Sequence, residues 1–184
     1  MLLAMFQYCP SCGKQNIRFS INKFFCPDCD FTYFHNTAAA TGCIIQSGEK
    51  LLFLIRGNEP ASGKLDLPGG FIDPGEGALE GLRRELREEL GWEPPVPPDK
   101  SPAEVFKLFA SFPNVYRYKN INYNTCDLFF TVSAPGLTES DLKIDPGEIR
   151  GVCFLRPDEI NFKNIAFDSI RRAIEVFQTT SYLQ

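Results

Sequence analysis

Three carboxylates stand at Glu85, Glu88 and Glu89, inside the run Arg83-Arg84-Glu85-Leu86-Arg87-Glu88-Glu89-Leu90-Gly91-Trp92. On a helix that spacing gathers them within roughly 100° of one face, since each residue turns about 100°. Like charges so placed repel one another. A divalent cation removes the penalty, because hard ions such as Mg²⁺ bind through a few carboxylate oxygens together with water and substrate phosphate. The pattern therefore suits metal-assisted work on a phosphate.

The surrounding residues must build a helix to present those acids. Leu79, Leu82, Leu86 and Leu90 fall on a neighbouring apolar stripe that would bury against a sheet. Ala78 and Gly81 share the acidic face, where small side chains would leave room for ions and phosphate, while Arg83 and Arg87 project away. Gly91 sits where a C-terminal cap belongs, and Asp73-Pro74-Gly75 makes a turn ahead of the helix. A solvated helix with an acidic edge is the alternative. The fixed spacing back to Glu76 and Gly70 argues against it.

From Gly70 to Trp92 the chain reads Gly-x5-Glu-x7-Arg-Glu-Leu-x-Glu-Glu-x-Gly-Trp, which resembles the Nudix box at every defined position. Lys64-Leu65-Asp66-Leu67-Pro68-Gly69-Gly70-Phe71-Ile72 likewise resembles the strand and glycine pair that lead into it. The resemblance implies an α+β fold, an α/β/α sandwich with a mixed sheet and the box as loop-helix-loop. It implies Mg²⁺- or Mn²⁺-dependent cleavage of the diphosphate joining a nucleoside to another group, releasing a nucleoside monophosphate. Glu85 and Glu89 would be metal ligands, and Glu88 a third ligand or the base that activates water. Arg84 would hold the loop by pairing with Glu76, and the Gly69 carbonyl would be a further ligand. Many Nudix proteins carry an acid in the loop corresponding to Asp145-Pro146-Gly147-Glu148-Ile149, so Glu148 is a second candidate proton acceptor; a turn residue facing solvent is the equal alternative.

Four of the seven cysteines form two Cys-x2-Cys pairs, Cys9/Cys12 and Cys26/Cys29, separated by 13 residues. That spacing suits tetrahedral Zn²⁺ bound by four thiolates, which would supply much of the folding energy of a segment too short for its own core. Disulfides and a thioredoxin-like motif fit less well, without a secretion signal or a strand-helix context. Residues 1–34 are expected to form a zinc ribbon and residues 35–184 the Nudix-like domain, a layout similar to that of NADH pyrophosphatases. Through Phe34 the ribbon sets Lys14, Arg18 and Lys23 against Asp28 and Asp30, a net of +1, which favours a structural role. Cys43, Cys126 and Cys153 read as inert core thiols, and His35 as a linker residue.

The chain has 184 residues and a net charge of −4, with a pI near 5.1. An acidic chain needs cations to hold an anionic diphosphate, and its charge argues against broad binding to nucleic acid. No apolar run approaches the ~20 residues of a membrane span. Met1 to Phe6 lacks the features of a secretory signal. A cytoplasmic location is the expectation, with a small-molecule nucleotide as substrate.

Further elements are expected as strands over Thr37–Gln46 and Lys50–Arg56 around a Ser47-Gly48-Glu49 turn, Glu104–Phe112, Asn122–Ser133 and Gly151–Leu155, and a closing helix over Asp168–Phe177. After the box, Ser111-Phe112-Pro113-Asn114-Val115-Tyr116 shares only its serine and first proline with the Ser-Gln-Pro-Trp-Pro-Phe-Pro segment of NADH pyrophosphatases. ADP-ribose, another dinucleotide or a sugar nucleotide therefore stays open as substrate. Tyr116, Arg117 and Tyr118 could grip a base and a phosphate, or be exposed residues at a strand end. The rival class is a non-catalytic nucleotide sensor whose ribbon binds nucleic acid or protein; the complete set of glutamates counts against it. Nudix relatives are frequently dimers, so the resemblance also suggests a homodimer.

Overall fold

The computed structural model describes residues 6–119 and 121–181; residues 1–5, most of the apolar start of the chain, lie outside the described residues. The chain divides into two compact units, Met1–Thr37 with Val115–Asn124, and Ala38–Asn114 with Thr125–Gln184.

In the smaller unit, strands β1 (Arg18–Phe19), β2 (Lys23–Phe25) and β3 (Thr32–Phe34) form an antiparallel three-stranded sheet. Phe24 is fully buried among the rings of Phe6, Phe19, Phe31 and Tyr33, with centroids 5.0–6.1 Å away. One buried phenylalanine is a slender core, which is why a cross-link through the cysteines matters here.

The larger unit is built on a mixed sheet. Its strands are β4 (Ala38–Ser47), β5 (Lys50–Arg56), β6 (Leu65–Asp66), β7 (Lys107–Tyr118, in this unit as far as Asn114), β8 (Ile121–Ser133, in this unit from Thr125) and β9 (Ile149–Leu155). The order is β6-β5-β4-β8-β7, with β9 also paired to β5. β4 runs parallel to β8 from Ala38↔Thr125 to Gln46↔Ser133, whereas β5 is antiparallel to β4, β6 and β9. Both faces are covered, so the strands are apolar on successive residues rather than alternating. Leu52 and Leu54 pack with Cys43, Ile45, Phe130 and Val132 under helix α1 (Ala78–Leu90). Leu51 and Phe53 pack with Ile44, Leu67 and Phe129 under helix α3 (Asp168–Ser181) through Ile170, Ala173 and Ile174. This is the expected α+β arrangement of a mixed sheet between helices.

Two local expectations are corrected. Residues Pro102–Val105 form a helical turn, α2, and β7 starts only at Lys107. Ser101 caps that turn: its N–H and its hydroxyl both donate to Glu104 Oε2, at 2.7 and 2.8 Å, and Pro102 opens it. Cys126 is exposed rather than a core thiol, because the alternation of β8 turns it outward; Cys43 is buried and Cys153 half-buried.

Candidate active site

The site is assembled where β4 and β5 part company. Those strands pair only at their hairpin, Gln46↔Leu51 and Ser47↔Lys50, so the rest of that β4 edge is open to another partner. The segment after β6 takes it: Cys43 N–H donates to Pro68 O at 2.9 Å, Thr41 N–H to Gly70 O at 2.8 Å and Ile72 N–H to Ala39 O at 3.1 Å. Only glycine fits at 69. Its φ is +138°, and an added Cβ would lie 2.2 Å from Thr41 O.

Helix α1 then meets this segment. Leu82, Leu86 and Leu90 are fully buried, as the apolar stripe requires, and Gly91 caps the helix at φ +57°, its N–H donating to Arg87 O. Gly69 N–H donates to Glu89 Oε2 at 2.8 Å. The Glu85 carboxylate lies against Gly70, where an added Cβ would sit 2.6 Å from Glu85 Oε1. The small residues of the helix do not leave the room expected of them. Gly81 is buried, and a Cβ there would meet Glu76 Oε2 at 3.1 Å and Ile72 at 3.6 Å, so its space is taken by the incoming loop; Ala78 packs into the core under α1.

Arg84 binds the loop to the helix. Its Nε donates to Glu76 Oε1 at 2.8 Å, and Nη2 donates to Glu76 Oε2 and to Phe71 O, both at 3.0 Å. Its Nη1 donates to Glu85 Oε1 at 2.8 Å and to Glu88 Oε2 at 2.9 Å. The two-pronged Arg84 hydrogen bond is the main cause holding the Glu76 carboxyl below its usual range, and Asp73 N–H adds to it. Arg83 and Arg87 point elsewhere, both to Glu93.

The three box glutamates thus occupy different surroundings. Glu88 is exposed; Glu85 is half-buried, and burial raises its carboxyl above the usual value against the pull of Arg84. Glu89 is only 9% exposed, and burial pushes its carboxyl well up; the Gly69 amide opposes this, and the nearby charges of Asp66, Glu85 and Glu148 add to it. Glu148 itself is exposed in the loop before β9, within electrostatic reach of Glu85 and Glu89.

Sequence reading passed over Asp66 and Arg56. Asp66 is buried, ion-paired with Arg56 and accepting from Leu67 N–H at 2.8 Å. Arg56 also donates from Nε to Pro60 O at 2.8 Å and stacks on Phe167 with 5.0 Å to the centroid. An acid between Leu65 and Leu67 was the available signal. Asp127, also buried, accepts from Ser169 Oγ at 2.6 Å.

Tyr116, Arg117 and Tyr118 close β7 and fall within the smaller unit, whereas the box carboxylates belong to the larger one. In the smaller unit the sulfurs of Cys9, Cys12, Cys26 and Cys29 all lie within 4.8 Å of one another. Cys9 Sγ is 3.6 Å from Cys29 Sγ, and Cys12 Sγ is 3.7 Å from Cys26 Sγ. A tetrahedron with Zn–S bonds of about 2.3 Å has edges near 3.8 Å, so this donor set fits a thiolate-bound ion. For a hard cation, the fit rests on Glu89. It is a buried carboxylate that accepts from a neutral amide, and the like charges of nearby acids disfavour its ionised form rather than relieve it.

The NUDIX domain family matches residues 36–175. The chain belongs to the Nudix family. Among curated proteins, it is 42% identical over 64 residues to the ADP-ribose pyrophosphatase of Methanocaldococcus jannaschii, covering 35% of this chain and 37% of that protein. It is 29% identical over 86 residues to the NAD-capped RNA hydrolase NudC of Stutzerimonas stutzeri, covering 46% of this chain and 31% of that protein. The chain thus spans about a third of the length of these relatives. Among solved structures, a NUDIX hydrolase from Nitrosomonas europaea superposes with a TM-score of 0.60 at 24% identity, over 92% of this chain and 91% of that one. The NUDIX domain of Shewanella oneidensis NrtR, solved with ADP ribose, gives 0.60 at 20% identity, over 82% and 91%. These likenesses confirm the Nudix fold. No helix among the described residues is long and apolar enough to cross a membrane.

Proposed function

We propose that this Nudix protein hydrolyses the diphosphate of a nucleoside diphosphate linked to another group, ADP-ribose or an NADH-like dinucleotide being the first candidates. The observation that carries the reading is Glu89: a carboxylate buried at the glycine turn, fixed by Gly69 N–H and within electrostatic reach of Glu85 and Glu148. The relatives named for ADP-ribose and NAD-capped RNA support the substrate class, both being nucleoside diphosphate derivatives.

Glu85, Glu88, Glu89 and the Gly69 carbonyl are proposed to hold Mg²⁺ or Mn²⁺. Such an ion, when bound, polarises the bridging phosphates and stabilises the charge of the leaving phosphate. Glu89 is delivered by α1 and held by the Gly69 amide. Glu85 and Glu88 share Arg84 Nη1, so engaging them means loosening that contact while Glu76 keeps hold of Nε and Nη2. Glu88 and Glu148, both exposed, are the candidates to accept the proton of the attacking water. Tyr116, Arg117 and Tyr118 are proposed as substrate contacts by their chemistry alone.

The four-cysteine segment is proposed as a separate ribbon, residues 1–34, holding structural zinc ahead of the Nudix domain at residues 35–184. Thiolate-bound zinc suits a reducing compartment, so the reading includes a cytoplasmic location, and a homodimer as the state to test by sedimentation. The deciding experiment assays NADH, NAD⁺, ADP-ribose, diadenosine polyphosphates, sugar nucleotides and nucleoside triphosphates, with Mg²⁺ or Mn²⁺. Release of a nucleoside monophosphate from a diphosphate-linked substrate, abolished in Glu89→Gln, is the expected result. No turnover on any of them removes the enzymatic reading.

A further inference from the structure

The loop that carries Glu148 is anchored from two sides. On the helix side, Lys143 N–H donates to Leu90 O at 2.7 Å and Asp145 N–H to Glu89 O at 3.1 Å. The loop is thereby tied to the same residue whose carboxylate receives Gly69 N–H. On the strand side, Gly57 N–H donates to Glu148 O at 2.7 Å, and Asn58 Nδ2 donates to Gly147 O at 2.8 Å. Both donors follow directly on β5, whose register against β9 breaks between Ile55 and Arg56. An irregularity of that kind bends a strand and re-aims the residues beyond it.

The approach at Gly57 is closer than any side chain permits. A Cβ built there would lie 2.6 Å from Glu148 O, 2.9 Å from Glu148 C and 3.3 Å from Ile149 N. These are backbone atoms, which cannot swing aside as the end of a flexible side chain can. Gly57 is thus required for space, not for an unusual conformation.

We propose that Gly57 is a positioning residue, whose missing side chain lets the chain leaving β5 reach the Glu148 backbone and fix Glu148 in the loop that is tied to Glu89 and Leu90 at the end of the box helix. The inference rests on the hydrolase reading, and it deepens it by making Glu148 a working member of the site rather than a solvent-facing turn residue. Its charge stands near enough to both box glutamates to act on them. Asn58 is the weaker of the two anchors, since its bond is exposed. Arg56, one residue before Gly57, pairs with Asp66, so three consecutive residues brace the acidic site from the β5 side.

The test uses the full chain with ADP-ribose and Mg²⁺, or the best diphosphate substrate of the panel should ADP-ribose be poor. Gly57→Ala is expected to lower kcat at least tenfold with KM within about threefold. Glu148→Gln is expected to lower kcat comparably, and the double variant to fall no further than the worse single. Hydrogen exchange at Glu148 and Ile149 should rise in Gly57→Ala, while the thermal midpoint stays within a few degrees. Should Gly57→Ala not fold, Asn58→Ala takes its place, with a several-fold kcat loss that disappears in the Glu148→Gln background. Wild-type kcat in both loop variants overturns the inference, as does a double variant whose losses multiply. Wild-type kcat in Glu148→Gln, with Glu89→Gln inactive, overturns it too but leaves the hydrolase reading standing. Wild-type kcat in Glu89→Gln removes the assignment of Glu89, and no turnover by the wild type on any substrate of the panel removes the hydrolase reading itself.

Discussion

Glu89 is placed where a carboxylate is costly to keep ionised. Its folded-state proton affinity is raised, chiefly by burial, so the native state binds a proton more tightly than the unfolded chain does. The metal-free protein should therefore lose stability as pH rises above the unfolded carboxylate value of about 4.3, and suffer no such penalty below it. Glu89→Gln keeps the shape and removes the charge. It should lower turnover by a few orders of magnitude while raising the metal-free thermal midpoint at neutral pH by about 2–4 °C, the shift expected for ~1 kcal/mol in a chain of this size. A midpoint that falls instead would mean the carboxylate is satisfied as it stands. Arg84 argues the opposite way, through geometry. Its guanidinium reaches Glu76, Phe71 O, Glu85 and Glu88 at once, a fork that a lysine ammonium cannot reproduce. Arg84→Lys should cost about tenfold in kcat and ~1 kcal/mol of stability, read by steady-state kinetics and thermal denaturation. These residues were legible in the sequence because their spacing lies within one loop and one helix. Asp66 and Arg56 were not, since their pairing depends on β6 folding back onto β5, nor was Gly57, whose partner Glu148 lies in a loop far along the chain.

Elements obey the same division. The α1 stripe, its Gly91 cap and the β4-β5 hairpin could be read locally, because period and turn chemistry determine them. That Pro68–Ile72 would fill the β4 edge could not be read, for it depends on β5 peeling away after its first residues. The α2 turn was misjudged for the reverse reason: Ser101-Pro102-Ala103-Glu104 carries a capping signal that outweighs the strand-forming residues after it. The ribbon is an element whose order rests on its sulfurs. Burial works to raise the Cys9 thiol, but the amides of Cys12 and Ser11 outweigh it and bring it to about 7, while Cys12 is pushed up to about 12 despite the favourable Lys14 amide, through burial and its sulfur neighbours. Protons thus compete with a metal for this set, and zinc should be released on acidification. Cys26→Ser should leave about zero zinc per chain by elemental analysis and open residues 6–37 to protease. Retention of a full equivalent of zinc by that variant would show that the ion is held elsewhere.

On the scale of the whole molecule, a sheet covered on both faces supplies the rigidity, and two compact units offer donors of opposite character, thiolates in one and carboxylates in the other. Their responses to ions should separate. Magnesium that binds only the native larger unit stabilises it by RT ln(1 + [Mg²⁺]/Kd), about 1.4 kcal/mol for each tenfold excess over Kd. The thermal midpoint should therefore climb with the logarithm of magnesium concentration. On a chain of net charge −4, salt alone relieves some repulsion, so the control is sodium chloride at matched ionic strength. Glu89→Gln should begin from a higher midpoint and show little more than the sodium response, because the buried charge that the ion relieves is gone. A zinc chelator should instead melt the ribbon and leave the magnesium-dependent rise of the larger unit in place. If magnesium at concentrations that support turnover shifts wild type and Glu89→Gln equally, the ion is not held by the buried glutamate, and the assignment of the box carboxylates as its ligands is wrong.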